Sequence, residues 1–189
     1  MTGRFAITSC TLAALAGPVV ADDREPPVHL ELGVNTRHFA ASERGRVALR
    51  SASGMLPEDD SPGGTGVTMS LRFTKWMRWA TFAGVEAETG SLMEAGSNFA
   101  GAYALVGARG AVGPVALYVE GAPGKRWVRY GSMSKSYESY VLESRVRVET
   151  WLSSRFTFGG AIGATLTGDV RVWMAGVYIG VHSLDFGSR

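Results

Sequence analysis

The sequence predicts an all-β fold: an eight-stranded antiparallel up-and-down transmembrane β-barrel that follows a cleaved signal peptide. Three observations point there. Apolar side chains alternate with charged or small ones through eight stretches of about nine to twelve residues, the length of a tilted bilayer-crossing strand. The links after the second, fourth and sixth stretches are short, those after the first, third and fifth are longer, and the one after the seventh is an exception. Beyond residue 21 no run of roughly 18 apolar residues offers a spanning helix.

The alternation is clearest over 139–151. Val141, Glu143, Arg145, Arg147 and Glu149 share one face; Tyr140, Leu142, Ser144, Val146, Val148 and Thr150 share the other. A helix would scatter those charges around its axis.

The 189 residues suit one domain, and a net charge of +2 gives no reason to expect a nucleic-acid partner. The 25 glycines suit a sheet with tight turns and close-packed strands. Arg4 gives a short positive start, 5–20 is apolar apart from small hydroxyl residues, and Val19-Val20-Ala21 places small or β-branched residues before Asp22. Residues 1–21 therefore read as a signal peptide and 22–189 as the barrel domain. The single cysteine, Cys10, lies ahead of most of the apolar run, the wrong order for a lipoprotein signal. The mature chain then has no disulfide.

The first strand is read over 28–39, with Val28, Leu30, Leu32 and Val34 opposite His29, Glu31, Asn35 and Arg37. A long loop with a Pro57 to Pro62 breaker cluster follows over 41–62. The second strand is 65–76, with Val67, Met69, Leu71 and Phe73 opposite Ser70, Arg72 and Thr74. The third is 79–89, where Glu86 and Glu88 oppose Val85 and Ala87. The fourth, 99–109, has Phe99, Tyr103 and Leu105 on one face and small residues on the other. The fifth is read as 115–121 and is followed by a second long loop over 122–137. The sixth is 139–151 and the seventh 156–166, with Phe156, Phe158, Ile162 and Leu166 on one face. The eighth is 170–186, followed by a short tail.

The alternation alone does not say which face looks inward. The signal peptide and the short-turn pattern favour lipid against the apolar face. Trp76, Trp79 and Trp151 fall at the short-turn ends, where they read as an aromatic belt at one membrane interface. A sheet in lipid cannot leave an edge unpaired, so it closes, and eight strands enclose only room for side chains. Glu31, Arg37, Arg72, Glu86, Glu88, Glu120, Glu143, Arg145, Arg147 and Glu149 then form an interior polar network that plugs the barrel against large solutes.

These features, with a closing strand that runs to Phe186, resemble the small eight-stranded outer-membrane barrels of the OmpA/OmpX type. The likeness covers the whole mature chain as architecture. It implies residence in the outer membrane of a Gram-negative-type cell. In that group, apolar residues alternate before a terminal aromatic. Here Leu184 and Tyr178 keep that register, while His182 and Gly180 interrupt it. Trp173, Val177, Ile179 and Val181 offer a competing apolar face, which a bulge in the last strand would reconcile.

Catalytic chemistry is thinly represented. His182 and Ser183 are strand neighbours that point to opposite faces, and His38 with Ser42 and Glu43 is the remaining constellation. No cluster has zinc-site spacing in the sequence, and no metal or cofactor is expected. Lys125, Arg126, Trp127 and Arg129 read as loop residues for contact with anionic outer-membrane lipid, lipopolysaccharide included. The expected role is structural or surface-interacting and non-enzymatic. The alternatives are a lipid-modifying membrane enzyme and a soluble periplasmic barrel holding a small apolar ligand.

Overall fold

A computed structural model describes residues 28–41, 63–77, 80–93, 97–112, 114–129, 137–153, 156–167 and 170–182. These residues form eight strands: β1 (Val28–Ala41), β2 (Gly63–Trp76), β3 (Thr81–Leu92), β4 (Ser97–Val112), β5 (Val115–Arg129), β6 (Tyr137–Trp151), β7 (Phe156–Thr165) and β8 (Val170–His182). Each pairs antiparallel with its sequence neighbours, and β1 pairs with β8 to close the barrel. Closure leaves no row of unpaired backbone groups. The assigned signal peptide lies outside the described residues.

The fifth strand corrects the sequence reading. It does not end at 121 but runs to Arg129, so 122–129 of the expected loop over 122–137 are strand, as is Tyr137 at the start of β6. Pro123 and Gly124 look like chain breakers. Yet Pro123 pairs with Leu142 of β6, while the β4 ladder skips from Val106–Gly121 to Tyr103–Gly124. A proline lacks a donor, and the ladder is interrupted on one side only.

The last strand needs no bulge. Its registers with β1 and β7 are unbroken, which turns Trp173, Val177 and Ile179 outward and Val172, Met174 and Tyr178 inward. Phe186 and Leu184 lie outside the described residues.

Between β2 and β3 the chain turns within four residues, closed by Met77 N donating to Thr81 O at 2.9 Å. Ala80 there takes a φ of 55°, a left-handed conformation that tight turns impose.

Candidate functional site

The lumen is filled in layers, because inward positions alternate along every strand. At the long-loop end Phe39, Leu92, Phe99, Val128, Val170 and Val172 form an apolar lid, with Phe39 and Phe99 edge to face at 5.4 Å. At the short-turn end Trp76, Phe82, Ala116 and Tyr118 form a second one. Between them lies a belt of arginine and glutamate. Phe99, Tyr103 and Leu105 point inward on β4, and its alanines point out. That strand's larger side chains serve the lumen.

The charged layer is cross-linked over strands that are not neighbours. Arg37 on β1 donates from Nε to Glu88 Oε1 of β3 at 2.7 Å and from Nη1 to Glu143 Oε1 of β6 at 2.7 Å. Arg72 grips Glu120 with its two terminal nitrogens, Nη1 to Oε1 at 2.8 Å and Nη2 to Oε2 at 2.5 Å. Arg145 Nη1 donates to Glu86 at 2.8 and 2.7 Å, and Nε to Glu143 Oε2 at 2.8 Å. Arg147 bonds both oxygens of Glu31. Such two-point pairs fix orientation as well as charge. Gly159 faces this layer because a Cβ there would stand 2.3 Å from the Tyr178 ring.

The structure therefore places Glu31, Arg72, Glu86, Glu120, Glu143, Arg145, Arg147 and Glu149 together inside, with Arg37 and Glu88 among them, all buried. The apolar face turns outward: Leu32, Met69, Ile162 and Val177 are each more than half exposed. This is the reverse of a soluble barrel with an apolar lumen.

Two groups of expected residues go elsewhere. Arg126, expected at the lipid contact, lies inside, 1 % exposed, bonded to Glu143, to Thr165 Oγ1 at 2.6 Å and to Tyr103 OH at 3.2 Å. It belongs to a strand, not a loop, and its parity matches Glu120. Lys125 and Trp127 take the opposite parity at the outer rim, with Lys125 Nζ 5.3 Å from the Trp127 ring and 2.5 Å from Glu138. Arg129 shares that outward parity and is exposed. The tryptophan belt is corrected as well. Trp76 packs into the lumen's lower lid, edge to face with Phe82 at 5.4 Å and with the Arg109 guanidinium 5.4 Å from its ring. Trp151 has the inward parity of Glu149 and is half-buried. Trp79 lies outside the described residues. A narrow barrel mouth needs large rings to shut it, and strand-end tryptophans supply them.

His38 faces outward, its Nδ1 3.1 Å from Thr65 Oγ1; Ser42, Glu43 and Ser183 lie outside the described residues. The sequence reading missed the luminal roles of Arg109, Arg126, Tyr103 and Tyr178. Strand parity alone carries that signal, once the reach of each strand is known. It also missed that His29, Glu31 and Glu149 converge, since β1 and β6 are far apart in the chain.

No family model matches the sequence, and no curated protein matches it. Solved structures do. Neisserial surface protein A superposes with a TM-score of 0.64 at 11% identity, over 83% of this chain and 97% of that one. The fold is that of the small outer-membrane barrels. Ail, the attachment invasion locus protein of Yersinia pestis, gives 0.53 at 11% identity over 84% of this chain and 99% of that one. The outer membrane protein OprG of Pseudomonas aeruginosa gives 0.53 at 11% identity over 84% and 97%.

Proposed function

We propose that this chain is an integral outer-membrane barrel with a structural or surface-interaction role, exported by residues 1–21 and closed to large solutes. The observation that carries the reading is the inversion of the barrel. Buried arginines and glutamates pair inside, while leucine, methionine, valine and isoleucine cover the outside. A contiguous apolar exterior is stable against hydrocarbon and prone to aggregation in water. Aromatic lids at both ends oppose passage of solutes through the lumen.

The test is gel mobility with and without boiling, on protein from fractionated cells. A closed barrel resists unboiled SDS, so the unheated band runs apart from the heated one, and the protein sediments with the outer membrane. Recovery in the soluble periplasm with a single band position overturns the reading.

Lipid contact at the outer rim rests on Lys125, Trp127 and Arg129, with Tyr140 also in reach: Lys125 Nζ stands 5.5 Å from the Tyr140 ring. A cation beside interfacial aromatics suits the phosphates of lipopolysaccharide. Lys125→Ala combined with Arg129→Ala reduces stabilisation of the folded barrel by added lipopolysaccharide, measured as the unfolding temperature. An undiminished shift removes this contact.

A further inference from the structure

Among the described residues, five luminal glutamates hydrogen-bond an arginine: Glu31, Glu86, Glu88, Glu120 and Glu143. Glu149 is different. Among the described residues its hydrogen bond comes from the Tyr118 hydroxyl, at 2.6 Å to Oε1. Oε2 has no partner, and the residue is 1 % exposed. A buried carboxylate with an orphaned oxygen carries a large desolvation cost, which a cation in that place would offset.

The neighbouring side chains are metal ligands by type. His29 and Glu31 both face inward, two residues apart on β1, and Glu149 reaches them from β6 across the lumen. One donor atom from each lies within 4.8 Å of the other two. His29 Nδ1 stands 3.1 Å from Glu31 Oε1. Two ligands at about 2.0–2.1 Å from one ion have that separation when they sit roughly 100° apart.

We propose that His29, Glu31 and Glu149 bind one divalent transition-metal cation of the zinc class at the short-turn end of the lumen. An imidazole nitrogen with two carboxylate oxygens is a borderline donor set suited to zinc and cobalt. The partners that orient the ligands are in place. Arg147 holds Glu31, and Tyr118 holds Glu149. Arg72, Arg109 and Arg147 oppose a cation here, which makes the orphaned Oε2 of Glu149 the decisive feature. The ion would tie β1 to β6, two strands that share no ladder, and so brace the barrel across its width.

The test uses tag-free protein folded in detergent micelles and stripped of metal with a chelator. Zinc is titrated by calorimetry and cobalt by visible absorption, with the ion added both before and after folding. The expected result is one ion per chain and a higher unfolding temperature in zinc than in chelator. Glu149→Gln keeps the side-chain shape and removes the charge. It lowers affinity by about 100-fold or more while the unboiled gel still shows a folded barrel. His29→Gln acts in the same direction. No stoichiometric binding by the folded wild type up to about 1 mM zinc overturns the proposal and leaves Glu149 to hold a proton or a water. Binding that survives Glu149→Gln also overturns it, by placing the ion on other histidines.

Discussion

Glu143 and Glu149 stand on the same inner face of β6, both 1 % exposed, and are treated in opposite ways. Glu143 is bonded by Arg37, Arg126 and Arg145, from three different strands. Glu149 is bonded by one tyrosine. The long-loop half of the lumen is thus knitted by charge from all sides, and the short-turn half keeps a carboxylate with one oxygen unbonded. The difference teaches where stability and binding divide. A carboxylate shared by three guanidiniums has no oxygen left for a ligand, and one held by a single hydroxyl does.

The largest expected effect breaks the knitted half. Glu143→Ala leaves three buried guanidiniums short of an anion and costs about 3–5 kcal/mol, read as a lower urea midpoint for unfolding. A loss below 1 kcal/mol would mean that the network is not what holds this half. The next test sets the inner face against the outer. Val177→Arg puts a charge among Val34 and Gly160 on the exposed face and costs about 2–4 kcal/mol in lipid vesicles near the bilayer midplane. Were that face in water, the same change would be almost neutral.

Adjacent glycines of β7 sharpen the contrast further. Gly159 faces the lumen, where a Cβ would lie 2.3 Å from Tyr178; Gly160 faces out, with its nearest such contact at 3.6 Å. Gly159→Ala is expected to cost about 1–3 kcal/mol through overpacking, and Gly160→Ala far less. The pair is compared by thermal unfolding in one detergent, and equal costs would contradict the assigned faces. The smallest effect belongs to the short-turn half. In metal-free protein Glu149→Gln changes stability by about 1 kcal/mol or less, since the bond from Tyr118 survives and Oε2 loses no hydrogen bond. A loss as large as that of Glu143→Ala would erase the distinction between the halves.

Most of the barrel was legible because a strand's period of two is local. Glu86 and Glu88 opposite Val85 and Ala87, or Tyr118 and Glu120 opposite Leu117 and Val119, announce their faces from neighbours alone. The misreadings arose where a local signal met a non-local one. Pro123 and Gly124 look like the end of a strand, and only the continued pairing with β6 shows that β5 goes on. Arg126 followed that error out of the lumen. In the same way, Trp76 and Trp151 were read by their position at strand ends, although parity already pointed them inward.

The sequence by itself determined the strand number and, for most strands, which residues share a face, since alternation acts over a few residues; the longer link expected after the third strand is no longer than the one after the second, because β3 runs to Leu92 and β4 begins at Ser97. It also determined that charge and apolarity would be segregated. Only the tertiary structure decided which carboxylate meets which guanidinium and which is left over. Those pairings depend on closure of the sheet and on the stagger between strands. Closure brings His29 and Glu149 to one spot from opposite walls of the lumen, and no spacing along the chain encodes that distance.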